Sequence, residues 1–88
     1  MTARRYLIGG QVQGVGFRYF VLRSAQKLSV TGWARNLADG RVEVHGQGSA
    51  KVLDDFEGRL RIGPSRAEVR TFEVREESPA FLAGFQIR

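Results

Sequence analysis

No cysteine occurs among the 88 residues of this sequence, and there are only two prolines, one histidine and one tryptophan. Without cysteine there is no disulfide, no Cys-ligated zinc and no thiol nucleophile, so stability must come from packing, and the chain suits a reducing compartment. No apolar run comes near the roughly 20 residues that a membrane-spanning helix needs. The opening Met1-Thr2-Ala3-Arg4-Arg5-Tyr6 lacks the long apolar stretch of a secretory leader. A cytoplasmic protein that stays off the membrane is therefore expected. Repeats, low-complexity tracts and Pro/Ser-rich linkers are missing as well. A chain of this length feeds one core and no second folding unit, so residues 1–88 are expected to form a single domain.

What the sequence does have is positive charge. Fourteen Lys and Arg against nine Asp and Glu leave a net charge of +5, which draws anionic partners. The basic residues are scattered from Arg4 to Arg88 rather than run together, which reads as solvated surface and not as a nucleic-acid stripe.

Hydrophobic periodicity orders the elements. Tyr6, Ile8, Gly10 and Val12 alternate between Arg5 and Val12 as in a strand with one buried face. After Gln13-Gly14-Val15-Gly16 the period changes: Phe17, Phe20/Val21, Ser24/Ala25 and Leu28 recur at helical spacing. Val30 to Leu37 and Arg41 to Gly46 read as two antiparallel strands joined at Asp39-Gly40, a strong hairpin signal, with Val42 and Val44 inward and Glu43 and His45 outward. Ser49 can cap a second helix carrying Val52/Leu53, Phe56 and Leu60, which Gly63-Pro64 ends. A fourth strand is expected near Ala67 to Arg75, where the apolar phase slips between Val69 and Phe72/Val74 and predicts a bulge. Phe85 to Arg88 can add a short closing strand. The order β-α-β-β-α-β predicts an α+β fold, the ferredoxin-like α/β sandwich: an antiparallel sheet with both helices on one face. That fold hosts enzymes, RNA binders and metal-binding modules alike, so function has to be read from a site.

The informative stretch is Gly10-Gln11-Val12-Gln13-Gly14-Val15-Gly16-Phe17-Arg18, where a strand ends, glycines turn the chain and a helix starts beside an arginine. Glycines let backbone N–H groups converge, a helix start adds unpaired donors and a positive dipole end, and Arg18 offers a planar fork for phosphate oxygens. Two better-known phosphate loops fail here. Gly9 to Gly14 has the Walker spacing but is followed by Val15 instead of lysine, and the dinucleotide pattern starting at Gly14-Val15-Gly16 would need glycine at Tyr19.

Two motifs then carry a resemblance. Gly10 to Arg18 resembles the first motif of the acylphosphatase family, whose V-Q-G-V-x-F-R core stands unbroken from Val12 to Arg18. Gly32-Trp33-Ala34-Arg35-Asn36-Leu37-Ala38-Asp39-Gly40-Arg41-Val42-Glu43 resembles the second, G-W-V-R-N-x-x-D-G-x-V-E, with Ala34 in place of valine. Gly63-Pro64 also matches. The similarity is weakest after Pro64, where Arg66, Arg70 and the Pro79-to-Gly84 segment depart from the family pattern. The resemblance implies a hydrolase that splits acyl phosphates into a carboxylate and inorganic phosphate, without cofactor or metal. It further implies that the loop of Gln13, Gly14, Val15, Gly16, Phe17 and Arg18 holds the phosphate, that Arg18 is the essential binding arginine, and that Asn36 orients the attacking water. Partners would be a small acyl phosphate and inorganic phosphate, the latter as product and competitive inhibitor of a monomer. Domains of this kind also stand at the start of hydrogenase-maturation carbamoyltransferases, but an 88-residue chain fits the stand-alone enzyme.

Other candidates carry less. His45, the only histidine, is expected on the outer face of its strand in a surface role. Asp54, Asp55 and Glu57 diverge around one helix and are expected to face water, so no metal site is expected. Trp33 and Arg35 read as packing residues. RNA-recognition domains of the same fold need the K/R-G-F/Y-G/A-F-V-x-F/Y motif, and Val42-Glu43-Val44-His45-Gly46 occupies the strand where its aromatics would stand, so no nucleic-acid partner is expected.

Overall fold

Tyr6 and Ile8 alternate along the first strand because one face of it is sealed, and in the computed structural model, which describes residues 1–88, neither is exposed to solvent. This strand, β1 (Thr2–Gln11), begins three residues before the alternation predicts, because Thr2, Ala3 and Arg4 still pair with Gly48, Gln47 and Gly46. It is followed by α1 (Phe17–Leu28), β2 (Thr31–Asn36), β3 (Val42–Gly48), α2 (Ala50–Ile62), β4 (Glu68–Glu77) and β5 (Phe85–Ile87). Helix α1 buries Phe17, Val21, Ser24 and Ala25, and α2 buries Leu53, Phe56 and Leu60; together they cover one face of the sheet. The Ser49 Oγ accepts from the Val52 N–H at 3.2 Å, and Gly63 closes the helix. Asp54 pairs with Arg4 at 2.7 Å and Glu57 with Arg61 at 3.2 Å, so two of the three acidic residues of α2 are held by basic neighbours. No helix is long and apolar enough to cross a membrane.

The sheet order is β4-β1-β3-β2-β5. β1 pairs antiparallel with β3 and β4, as does β2 with β3. The expected bulge lies where Gly9 faces Thr71 and Gly10 faces Val69, leaving Arg70 as the extra residue of β4. The four strands of the expected sandwich pair antiparallel as expected, and the short closing strand β5, whose direction the sequence left open, runs parallel to β2. β4 finishes at the end of the sheet where β2 starts, and the segment from Ser78 to Gly84 crosses at that end. A strand laid down from there must run the way β2 runs. The directions of β1, β2 and β5 therefore agree, and their carboxyl ends gather with the start of α1.

One expectation is corrected, on the sheet face away from the helices. Glu43 and His45 do point away from the core, as alternation requires, yet they are only 4% and 5% exposed. Arg5 and Arg35 meet Glu43, and Trp33, Gln47 and Glu77 meet His45, while the crossing segment docks beside them where Gln47 bonds to both the N–H and the carbonyl of Ala80. The Asp39-Gly40 hairpin is also wider than its dipeptide suggests: Asn36 and Val42 are the last pair, and residues 37–41 form the connection. Within it the Arg41 backbone N–H holds the Asp39 carboxyl below its usual range.

Candidate active site

The loop after β1 is built for donors. Gly14 and Gly16 adopt φ of 75° and 77°, left-handed conformations that cost an ordinary L-residue about 1–2 kcal/mol. Gly16 is also the residue before the first turn of α1 and offers no side chain to cap it. The N–H groups from Gly14 to Tyr19 consequently have no acceptor within the protein. The helix dipole adds positive potential at the same place.

These donors open on a pocket of about 190 Å³ lined by Val12, Gly14, Gly16, Phe17, Arg18, Tyr19, Asn36 and Ile87. Arg18, on the first turn of α1, is half-buried, and its Nη1 donates to the backbone carbonyl of Arg88 at 3.0 Å. That bond leaves most of the guanidinium's five donors free. Asn36, the last residue of β2, is exposed at the pocket wall. The structure thus brings Arg18 and Asn36, which stand 18 positions apart, to one pocket together with Gly14, Gly16 and Phe17. Gln13 and Val15 do not line it. The Gln13 side chain turns toward the β2–β3 connection, where its Nε2 donates to the carbonyls of Leu37 at 2.8 Å and Arg41 at 3.0 Å. Val15 packs against the core.

Sequence reasoning missed Tyr19 and Ile87. Tyr19 follows Arg18 on the first helical turn and could have been inferred from adjacency. Ile87 and the carbonyl of Arg88 reach the pocket only because β5 lies parallel beside β2, which no local pattern signals. A larger and more open groove of about 710 Å³ runs from Gly16 and Tyr19 past Arg23 and Lys27 to Arg59 and Pro64. Apart from Gly16 and Pro64 its walls are residues of the two helices, whereas the smaller pocket brings Gly14 and Gly16 together with Arg18 and Asn36.

A second polar cluster lies on the far face. His45 Nδ1 is 2.6 Å from Glu77 Oε2, and its Nε2 is 2.8 Å from Gln47 Oε1. The Gln47 amide is oriented by the backbone of Ala80, so both ring nitrogens of His45 lie against side-chain oxygens. Trp33 stacks on the imidazole with ring centroids 5.8 Å apart, and the guanidinium groups of Arg35 and Arg88 lie over Trp33 at 5.6 and 4.7 Å. Glu43 accepts from Arg35 at 2.5 Å and pairs with Arg5 at 3.4 Å; Arg5 Nε is also 2.7 Å from Glu77, as an ion pair and not an aligned hydrogen bond. Each carboxylate here faces a basic side chain.

Known proteins resemble this chain in sequence and fold. The acylphosphatase family model matches residues 4–87. An acylphosphatase of Moorella thermoacetica is 46% identical over 88 residues, covering 100% of this chain and 95% of that protein. One of Chlorobaculum tepidum is 50% identical over 78 residues, 86% of this chain and 85% of that protein. The crystal structure of acylphosphatase from Bacillus subtilis superposes with a TM-score of 0.97 at 37% identity, covering 100% of this chain and 99% of that one.

Proposed function

The chain belongs to the acylphosphatase family, and we propose that it hydrolyses the carboxyl–phosphate anhydride of acyl phosphates in the pocket between α1 and the end of β2. The backbone N–H groups of Gln13 to Arg18 cradle the phosphoryl oxygens, the Arg18 guanidinium binds them as a charged fork, and the Asn36 carboxamide oxygen aims a water at phosphorus. The observation that carries this reading is the convergence of unpartnered N–H groups, Arg18 and Asn36 on one cavity.

The chemistry asks for little more. Water oxygen forms the new bond to phosphorus, the bond from phosphorus to the carboxylate oxygen breaks, and the water proton leaves with phosphate or to solvent. The departing carboxylate has a pKa of about 4 and needs no general acid. A loose, metaphosphate-like transition state likewise demands little of a general base, leaving position and charge stabilisation as the work of the site. An amide cannot take a proton but can hold water, which suits an activated anhydride and not an ordinary phosphate ester. With N–H donors and a guanidinium meeting the phosphoryl charge, the reaction runs without a metal ion. Inorganic phosphate, which presents the same oxygens, competes for the cradle, and the protein acts as a cytoplasmic monomer.

A steady-state assay of benzoyl phosphate beside p-nitrophenyl phosphate in EDTA tests this. Rapid hydrolysis of the first and very slow hydrolysis of the second is the expected result. Strict dependence on added magnesium, or comparable rates on both substrates, contradicts it.

A further inference from the structure

We propose that the Gln13 side chain is a positioning residue that holds Asn36 at its working distance from the phosphate cradle. The inference rests on the water-aiming role of Asn36 and goes beyond it by naming what keeps that amide in place. Gln13 lies between the end of β1 and the left-handed Gly14, so its backbone belongs to the cradle while its side chain reaches out of it.

The contacts are specific. One nitrogen, Nε2, donates to the carbonyl of Leu37 at 2.8 Å and to that of Arg41 at 3.0 Å. These two carbonyls stand on opposite sides of the β2–β3 connection, just beyond the last strand pair of Asn36 with Val42. Each already accepts one backbone bond: Arg41 from the Leu37 N–H at 2.8 Å, and Leu37 from the Gly40 N–H at 3.2 Å. The Gln13 amide thus fills the second lone pair of both and closes the mouth of the connection. Leu37 is then pinned at its N–H by Arg41 and at its C=O by Gln13, which fixes the backbone direction leaving Asn36.

Few side chains could do this. The position needs two N–H groups on one atom at the end of a three-carbon reach. Glutamate presents acceptors to two acceptors, leucine presents nothing, and asparagine is one methylene short. The brace also spans a place where the chain itself is permissive, since Gly14 and Gly16 allow the loop to move against the hairpin. Without it, cradle and Asn36 are joined only through the sheet, and a displacement of about 1 Å between reacting groups can cost on the order of 100-fold in rate.

The test compares Gln13→Leu and Gln13→Glu, alone and combined with Asn36→Ala, using benzoyl phosphate turnover, competitive inhibition by inorganic phosphate, and thermal melting. Both Gln13 variants retain the backbone N–H. Each should lose on the order of 10- to 100-fold in kcat, while the inhibition constant for phosphate moves by less than about threefold. In the Asn36→Ala background the same substitutions should cost less than about twofold more, because the residue they act through is gone. Wild-type kcat in Gln13→Glu, a loss that multiplies fully with that of Asn36→Ala, or a loss confined to phosphate affinity overturns the proposal. A damaged Asn36→Ala beside an intact Gln13→Glu overturns this inference alone, whereas full turnover in Asn36→Ala overturns the parent reading and this one with it.

Discussion

Two polar clusters sit on the same sheet and differ in what their donors touch. On the face away from the helices, Arg5, Arg35, Glu43, His45, Gln47 and Glu77 form a chain in which each side chain meets a partner. At the carboxyl ends of β1, β2 and β5, a run of backbone N–H groups meets none, and an exposed amide and a half-free guanidinium stand beside it. Folded chains pair their buried polar groups because an unmade hydrogen bond is costly. Nearly every polar group is met on one side while a row of donors stays open on the other, and the proposed function takes the first as scaffold and the second as the ligand site. On that reading the buried histidine and glutamate are structural, and plain glycines mark the site.

The largest effect that would sharpen this contrast is expected from Arg18→Ala. Removing the fork should abolish phosphate binding and lower kcat/KM by roughly 10³-fold or more, as with other arginines that meet transferring phosphoryl groups. Melting should change little, since Arg18 makes only one bond within the protein. Asn36→Ala comes next: loss of one aimed donor or acceptor in comparable sites costs about 3–4 kcal/mol, so turnover should fall by two to three orders of magnitude with phosphate affinity nearly intact. Residual turnover above about a tenth of wild type would rule out the water-aiming role.

The mirror-image prediction falls on the scaffold. Glu43→Gln removes the charge between Arg5 and Arg35 from a side chain only 5% exposed. A loss of about 1–3 kcal/mol is expected, at roughly 4–8 °C of melting temperature per kcal/mol for a domain of this size, with benzoyl phosphate turnover near wild type. A variant that melts normally but turns over poorly would break the comparison, because the far face would then be part of the reaction.

The smallest effect lies in the core between the clusters. Burial pushes the Tyr6 phenol up to about 12, with Arg4 beside it pulling the other way. Between pH 10 and about 12 the unfolded chain gives up this proton while the folded one keeps it, so stability present below pH 10 declines across that window. Tyr6→Phe should flatten this alkaline decline in a pH series of chemical denaturation curves. An unchanged slope would show that the phenol is not the group responsible.

Much of the scaffold could be read from local pattern. Alternation at Tyr6 and Ile8, helical spacing from Phe17 to Leu28, the Ser49 cap and the stop at Gly63-Pro64 all correspond to observed elements. Even the bulge opposite Gly9 and Gly10 was visible as a slip of apolar phase in β4. Alternation also put Glu43 and His45 on the correct face, but it carries no information about what covers that face. Their burial follows from the long side chains of Arg5, Arg35, Trp33, Gln47 and Glu77 that gather around them. The brace from Gln13 was hidden for a similar reason, since a glutamine beside glycine signals a turn and says nothing about carbonyls 24 and 28 residues away.

Sequence alone determined the elements, their order, the glycine-rich start of α1 and the two motifs that carry Arg18 and Asn36, because conformational preference and hydrophobic period act over a few neighbouring residues. Tertiary structure decided that β5 lies parallel to β2, that Ile87 and the Arg88 carbonyl reach the pocket, and that the only histidine is buried among Trp33, Gln47 and Glu77. Those outcomes depend on contacts up to 70 positions apart, and such contacts are selected by how the whole chain covers its core, which no short stretch of residues encodes.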